Sequence, residues 1–172
     1  MSEPPTEKSS TALALFKLLL FTVFVPGTVT VWAPLYFFRS AFAANPGENP
    51  AFLIVGTLLI AAGAAGYLWC SLDFAFAGRG TPAPIDPPKD LVVRGLYRYA
   101  RNPMYISVLL VLFGESVVFR SERLVGYALA AGVAFQFFVV LYEEPQLRGK
   151  FGASYEEYCK RVNRWLPGAP RS

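Results

Sequence analysis

Long apolar runs separated by short, charged segments set the pattern of this chain. Four runs stand out, at residues 11–38, 51–72, 104–119 and 124–142. They compare with the roughly 20 apolar residues that carry an α-helix across a hydrocarbon core about 30 Å thick. The first is longer than a span needs and contains Lys17, Pro26 and Pro34. It predicts a tilted helix, or one kinked near Pro26, where a backbone hydrogen bond is lost. The third is short and carries Glu115, and only Arg120-Ser121-Glu122-Arg123 separates it from the fourth, which predicts a tight antiparallel hairpin. Small residues at four-residue spacing, Ala62 with Gly66 and Gly126 with Ala130 and Ala134, are candidate close-approach faces. The expected fold is all-α integral membrane, a single domain over 1–172, with four transmembrane helices, a C-terminal helical hairpin and a cytoplasmic interfacial helix.

Composition agrees with this pattern. Of 172 residues, 54% are apolar and 16% charged, and the charges cluster between the apolar runs instead of alternating with them as on a soluble domain. Cys70 in an apolar run and Cys159 in a basic tail sit too differently for a disulfide, and with no histidine a zinc site is not expected. A cleaved signal is disfavoured as well. Lys8 precedes the first run and Ala41-Phe42-Ala43 resembles a cleavage site, but the run exceeds the roughly 7–15 residues of a signal core and carries Lys17.

Charge orients the bundle. Arg79, Lys89, Arg94, Arg98 and Arg101 lie in the loop 78–103, and Arg148, Lys150, Lys160, Arg161, Arg164 and Arg171 in the tail 143–172. The other two loops hold only Arg39, Arg120 and Arg123, so both termini are expected in the cytoplasm. The same basic residues attract anionic lipid, by about 1 kcal/mol each near the surface.

Aromatics and prolines are threaded among these charges. The stretch GRGTPAPIDPP reads as an extended linker, because residues before proline are kept out of the helical region. Asp90-Leu91-Val92-Val93 then reads as a short extended piece, with a turn at Gly95. In Arg101-Asn102-Pro103, Pro103 suits the first turn of the third helix and Asn102 its N-cap. The chain leaves the fourth run through Tyr142-Glu143-Glu144-Pro145-Gln146-Leu147, two adjacent carboxylates at the membrane boundary. Beyond, Phe151, Tyr155, Tyr158, Val162 and Trp165 recur at spacings of four, three, four and three, one face of a helix, with Ser154 and Glu157 matching a capping box. Such a helix either anchors the tail at the interface, with Lys160, Arg161 and Arg164 toward headgroups, or closes a pocket.

The block LVVRGLYRYARNPMYIS, followed by EEPQLRGKFGASYEEYCKRVNRWLP, resembles the isoprenylcysteine carboxyl methyltransferase and phospholipid methyltransferase family of membrane enzymes. The resemblance covers roughly Gly80 to Pro167. It implies S-adenosylmethionine as cofactor, held by Lys89, Asp90, Leu91, Val92, Tyr97, Asn102, Pro103, Met104, Tyr105 and Glu143. Two positions depart from the family pattern. Asn102 stands where many relatives have histidine, so its side chain hydrogen-bonds but does not titrate. Val139 stands where the prenylcysteine enzyme has a substrate-contacting arginine.

The residues themselves suit this chemistry. A sulfonium cofactor needs a carboxylate, hydrogen-bond partners and an aromatic wall, and Glu143, Asn102, Tyr97 and Tyr105 are such a set. The glycine-rich turn of a Rossmann site is missing. Methyl transfer is an in-line displacement in which alignment alone supplies several of the roughly 7–11 kcal/mol available from proximity. A carboxylate acceptor needs no base, which the lack of histidine favours; an amine acceptor needs one, for which Glu143 or Glu144 is available. Glu143, Glu144 and Asn102 are therefore the candidate catalytic residues, and Arg161 and Arg164 candidates for holding an acidic substrate. Glu115 reads as interfacial or as lining a cavity. The expected partners are membrane lipids and a lipophilic or lipid-linked acceptor, with no metal and no nucleic acid. A transporter subunit and a non-catalytic scaffold with a cofactor-like lip remain as other classes.

Overall fold

The structure, a computed structural model, describes residues 7–43, 49–77 and 90–168, and every regular element among them is helical. The order is α1 (Glu7–Phe24), a π turn (Thr28–Trp32), α2 (Ala33–Phe37), α3 (Arg39–Ala43), α4 (Pro50–Ala77), a 3-10 turn (Gly95–Arg98), α5 (Pro103–Val118), α6 (Glu122–Phe138), a second π turn (Val139–Glu143), α7 (Glu144–Phe151) and α8 (Ala153–Arg161). The linker before Asp90, with Lys89, and the loop around Glu48 lie outside the described residues.

Among the described residues, three helical stretches are long and apolar enough to cross a membrane: Phe16–Phe37, Pro50–Phe74 and Glu122–Phe151. The expected third span, α5, has 16 residues, about 24 Å at 1.5 Å per residue, which falls short of a full hydrocarbon core. A tight stop ends it. Arg120, with φ 47°, occupies the left-handed position normally given to glycine. Its N–H donates to Val117 O at 3.3 Å and that of Ser121 to Ser116 O at 3.1 Å, the paired bonds of a Schellman ending. Ser121 then caps α6, accepting from Leu124 N at 3.4 Å.

The kink expected at Pro26 falls between α1 and the first π turn. Thr28 and Thr30 turn their hydroxyls back to Phe24 O at 2.5 Å and Pro26 O at 2.8 Å. Such bonds satisfy a hydroxyl that has no water to meet in lipid.

Close packing in the bundle runs through Gly66, as expected, and also through Gly56, Gly63 and Gly114, which the four-residue spacing did not mark. A Cβ at Gly56 would lie 2.8 Å from Gly114 O, and one at Gly63 would lie 2.5 Å from Ser107 O, so α4 and α5 touch backbone to backbone. Gly66 shares this seam, where a Cβ would meet Ser107 Oγ at 2.6 Å. The stripe Gly126, Ala130, Ala134 is exposed, as is Ala62, and a Cβ at Gly126 would meet nothing. The physical reason is that α6 packs on α5 through another face, with Ala128 buried against Val108 and Leu112 and Gly132 beside Leu109, which turns Gly126, Ala130 and Ala134 outward.

Candidate active site

Where α1, α4, α5 and the second π turn approach the loop 90–102 and the tail, they line a cavity of about 200 Å³. Of the residues expected at a cofactor site, Leu91, Val92, Tyr97, Asn102, Met104, Tyr105 and Glu143 line it, and so does the catalytic candidate Glu144. Asp90 is exposed, and Pro103 is buried as the first residue of α5; neither is on the wall. The wall also includes Val139, the position matched to a substrate-contacting arginine, and Phe21, Val25, Phe74, Arg101, Tyr142 and Gln146, which sequence reasoning did not single out as a site.

The backbone of the loop is set by Gly95. It has φ 56°, and a Cβ there would overlap Asp73 Oδ2. The close approach lets Arg94 Nε reach Asp73 Oδ1 at 2.9 Å, pinning the loop to the end of α4. The 3-10 turn at Gly95–Arg98 sinks Tyr97 among Cys70, Val92 and Phe74, with Phe74 edge-on at 5.4 Å. Burial pushes the Tyr97 hydroxyl well above its ordinary pKa, so it remains a neutral donor.

The adjacent carboxylates have opposite surroundings. Tyr105 donates its hydroxyl to Glu143 Oε1 at 2.5 Å, and both line the cavity. Glu144, only 3% exposed, accepts from Arg164 at 2.6 and 3.0 Å and from Arg101 at 3.0 Å, with Arg148 at 3.7 Å. The Arg164 guanidinium is raised above its ordinary pKa chiefly by this bond. Glu144 thus ties the end of the membrane helix to the loop and the tail, while Glu143 keeps a single hydroxyl partner among the described contacts.

The tail departs from the expected single helix. Gly152, at φ 51° and ψ −125°, breaks it into α7 and α8, and Val162 is extended, so Trp165 lies outside any helix. Ser154 falls inside α8 and makes no cap, and Glu157 pairs with Arg161 instead of closing a capping box. Burial of Tyr155, Tyr158 and Val162 is against Leu91, Leu147 and Phe151. Tyr158 donates to Tyr97 O at 2.7 Å, and burial raises its pKa too. Beyond α8 the chain crosses the loop as a strap: Arg101 N donates to Asn163 O at 2.8 Å and Gly168 N to Tyr99 O at 3.1 Å. Asn102 sits at the N-cap position of α5 without a side-chain cap bond. Its Nδ2 donates to Arg164 O at 3.2 Å instead. Arg161 is exposed on α8, away from the cavity, and Arg164 is committed to Glu144. Glu115 is absent from the cavity wall, at the far end of α5.

The family model for phospholipid methyltransferase matches residues 51–154, from the start of α4 into α8. The chain belongs to that family, within the group of membrane methyltransferases that includes the isoprenylcysteine carboxyl enzymes. Neither the comparison with curated proteins nor that with solved structures gives a match. Belonging to this family makes the protein a membrane methyltransferase by class, and the three long apolar helices among its described residues make it a multi-pass membrane protein.

Proposed function

We propose that the chain transfers a methyl group from S-adenosylmethionine to a lipophilic acceptor at the membrane interface. The observation that carries this is the Tyr105–Glu143 pair, set in a cavity whose walls are shared by membrane helices and a polar loop. The donor set suits the cofactor: a carboxylate with one partner, tyrosine hydroxyls, an amide at Asn102 and the aromatic wall of Phe74 and Tyr97. When bound, S-adenosylmethionine supplies a methyl group on a positively charged sulfur. Glu143 sets a negative charge in the cavity, Tyr105 orients that carboxylate, and Tyr97, Leu91 and Val92 shield the site from water. Phe21 and Val25, from the N-terminal helix, with Val139 and Tyr142 give an apolar side on which the acceptor's hydrocarbon rests. The basic loop and tail support a cytoplasmic cavity, with α5 as a fourth, short span.

The acceptor's reacting group has two readings. A carboxylate, as in isoprenylcysteine, is already nucleophilic and suits a site without histidine. A second reading, an amine headgroup such as that of phosphatidylethanolamine, is favoured by the placement of Glu143: among the described contacts it is the wall carboxylate with no arginine partner, which leaves it available to take the ammonium proton. With Val139 where the prenylcysteine enzyme has its arginine, that position offers no cation to a carboxylate acceptor.

The decisive experiment is calorimetric binding of S-adenosylmethionine and its demethylated product to the purified chain in detergent. Transfer of labelled methyl to extracted lipids, with product identification, comes next. No binding of either compound sinks the enzyme reading in favour of a scaffold. Solute flux in proteoliposomes without cofactor would point to transport.

A further inference from the structure

We propose that Trp165 is a positioning residue for the Tyr105–Glu143 pair, held in place by Gln136 of α6. The inference rests on the methyltransferase reading of the cavity and adds to it a residue that is not on the cavity wall.

The hydroxyl of Tyr105 stays 2.5 Å from Glu143 Oε1 only while its ring is fixed. Two rings bracket it: Phe135 of α6 at 4.8 Å, tilted by 38°, and Trp165 edge-on at 6.4 Å and 62°. Trp165 is itself fixed, because its indole N–H donates to Gln136 Oε1 at 2.6 Å. Gln136 is an amide on an otherwise apolar stretch of helix, FQFF, where an unpaired polar group would be costly. The indole satisfies its carbonyl oxygen, and the bond locks the tail ring against the residue that orients the carboxylate. The strap has other anchors, at Asn163 and Gly168 on the loop backbone and at Arg164 on Glu144. Removing the indole therefore loosens Tyr105 without releasing the tail.

The test uses the full chain in detergent, with Trp165→Ala, Trp165→Phe and Gln136→Leu made alone and in a Tyr105→Phe background. Trp165→Ala and Gln136→Leu are expected to lower kcat about five- to twentyfold, with cofactor affinity within about twofold of wild type. Trp165→Phe keeps a ring but orphans Gln136, so adding Gln136→Leu to it should recover part of the loss. In the Tyr105→Phe background these changes should have no further effect. The same fold-loss in both backgrounds, or a lowered melting temperature with unchanged kcat, overturns the proposal. A second readout does not need activity: 3-fluorotyrosine placed at position 105 should show a shifted or broadened fluorine resonance in Trp165→Ala, as in Glu143→Gln. An unchanged resonance overturns the positioning role even if the wild type transfers no methyl group, whereas failure of the wild type to bind the cofactor overturns the enzyme reading alone.

Discussion

In the N-terminal helix, the π turn Thr28–Trp32 is followed two residues on by Pro34; in the last membrane helix, the π turn Val139–Glu143 is followed at the same distance by Pro145. A proline has no N–H for the carbonyl four residues back, and its ring crowds that carbonyl. Both helices relieve this by widening the preceding turn: Ala33 N–H reaches Thr28 O, and Glu144 N–H reaches Val139 O, each five residues back. The first turn leads into Leu35, Tyr36 and Phe37, all exposed on the outer surface. The second begins at Val139, 1% exposed, and delivers Glu143 to Tyr105 and Glu144 to Arg101 and Arg164. One extra residue in a turn rotates the rest of the helix by about 100°. The local device is the same, and its consequence depends on which side chains come next.

The strongest test of that contrast is Glu144→Gln. It leaves Arg101 and Arg164 without their buried counter-charge, and breaking such a pair costs about 3–5 kcal/mol. The melting temperature in detergent should fall by many degrees; a drop no larger than that of an exposed control, Glu157→Gln, would show that Glu144 is not the tie. Its neighbour should behave differently. Glu143→Gln is expected to weaken cofactor binding by about 1–3 kcal/mol, the scale of a lost charge-assisted hydrogen bond, while leaving melting nearly unchanged. Equal dissociation constants for wild type and Glu143→Gln would remove it from the site.

Proline replacement addresses the turns directly. Pro145→Ala permits a regular helix through the second turn, which would rotate both carboxylates away from their partners. Methyl transfer should fall about tenfold, about 1.4 kcal/mol. Pro34→Ala permits the same change in a helix whose next residues, Leu35, Tyr36 and Phe37, are exposed, and activity should stay within about twofold. Equal losses from both would mean that the second turn has no special bearing on the site.

The apolar runs were legible because burial in a bilayer asks only for apolar length, and the runs 51–72 and 124–142 coincide with two of the long helices. Tyr97, Asn102, Tyr105 and Glu143 were legible as a set because aromatic and polar residues in a basic loop exceed what topology and lipid attraction require. Arg101 was not: counted among cytoplasmic charges, it looked like its neighbours until the fold placed it beside Glu144. The roles of the two carboxylates were also hidden, since helical periodicity carries no record of a π turn. Pro145 just beyond them is the signal that could have raised it. Of the α4–α5 seam, Gly66 was legible at four-residue spacing from Ala62, whereas Gly56 and Gly63, seven residues apart on one helix face, were not. The tail failed as a single helix because its apolar spacing ran through Gly152, whose backbone breaks the helix the spacing implies.

The smallest effect expected is at Thr28 and Thr30, where the two π turns differ in how they meet lipid. Each hydroxyl donates to the carbonyl four residues back, Thr28 to Phe24 O and Thr30 to Pro26 O. If those bonds held the widened turn open, removing them would cost as much as losing a structural anchor. If they only satisfy hydroxyls that lack water, removing the hydroxyl removes both the bond and the need for it. The geometry favours the second case, because Pro34 already forces the turn. Thr28→Val and Thr30→Val should each lower stability by about 0.6 kcal/mol or less, the mean scale of side-chain hydrogen bonds in membrane helices. Cofactor affinity should stay at the wild-type value. A melting loss comparable to that of Glu144→Gln would mean that the first turn is held by its threonines and not by Pro34, and the likeness between the two turns would then be lost.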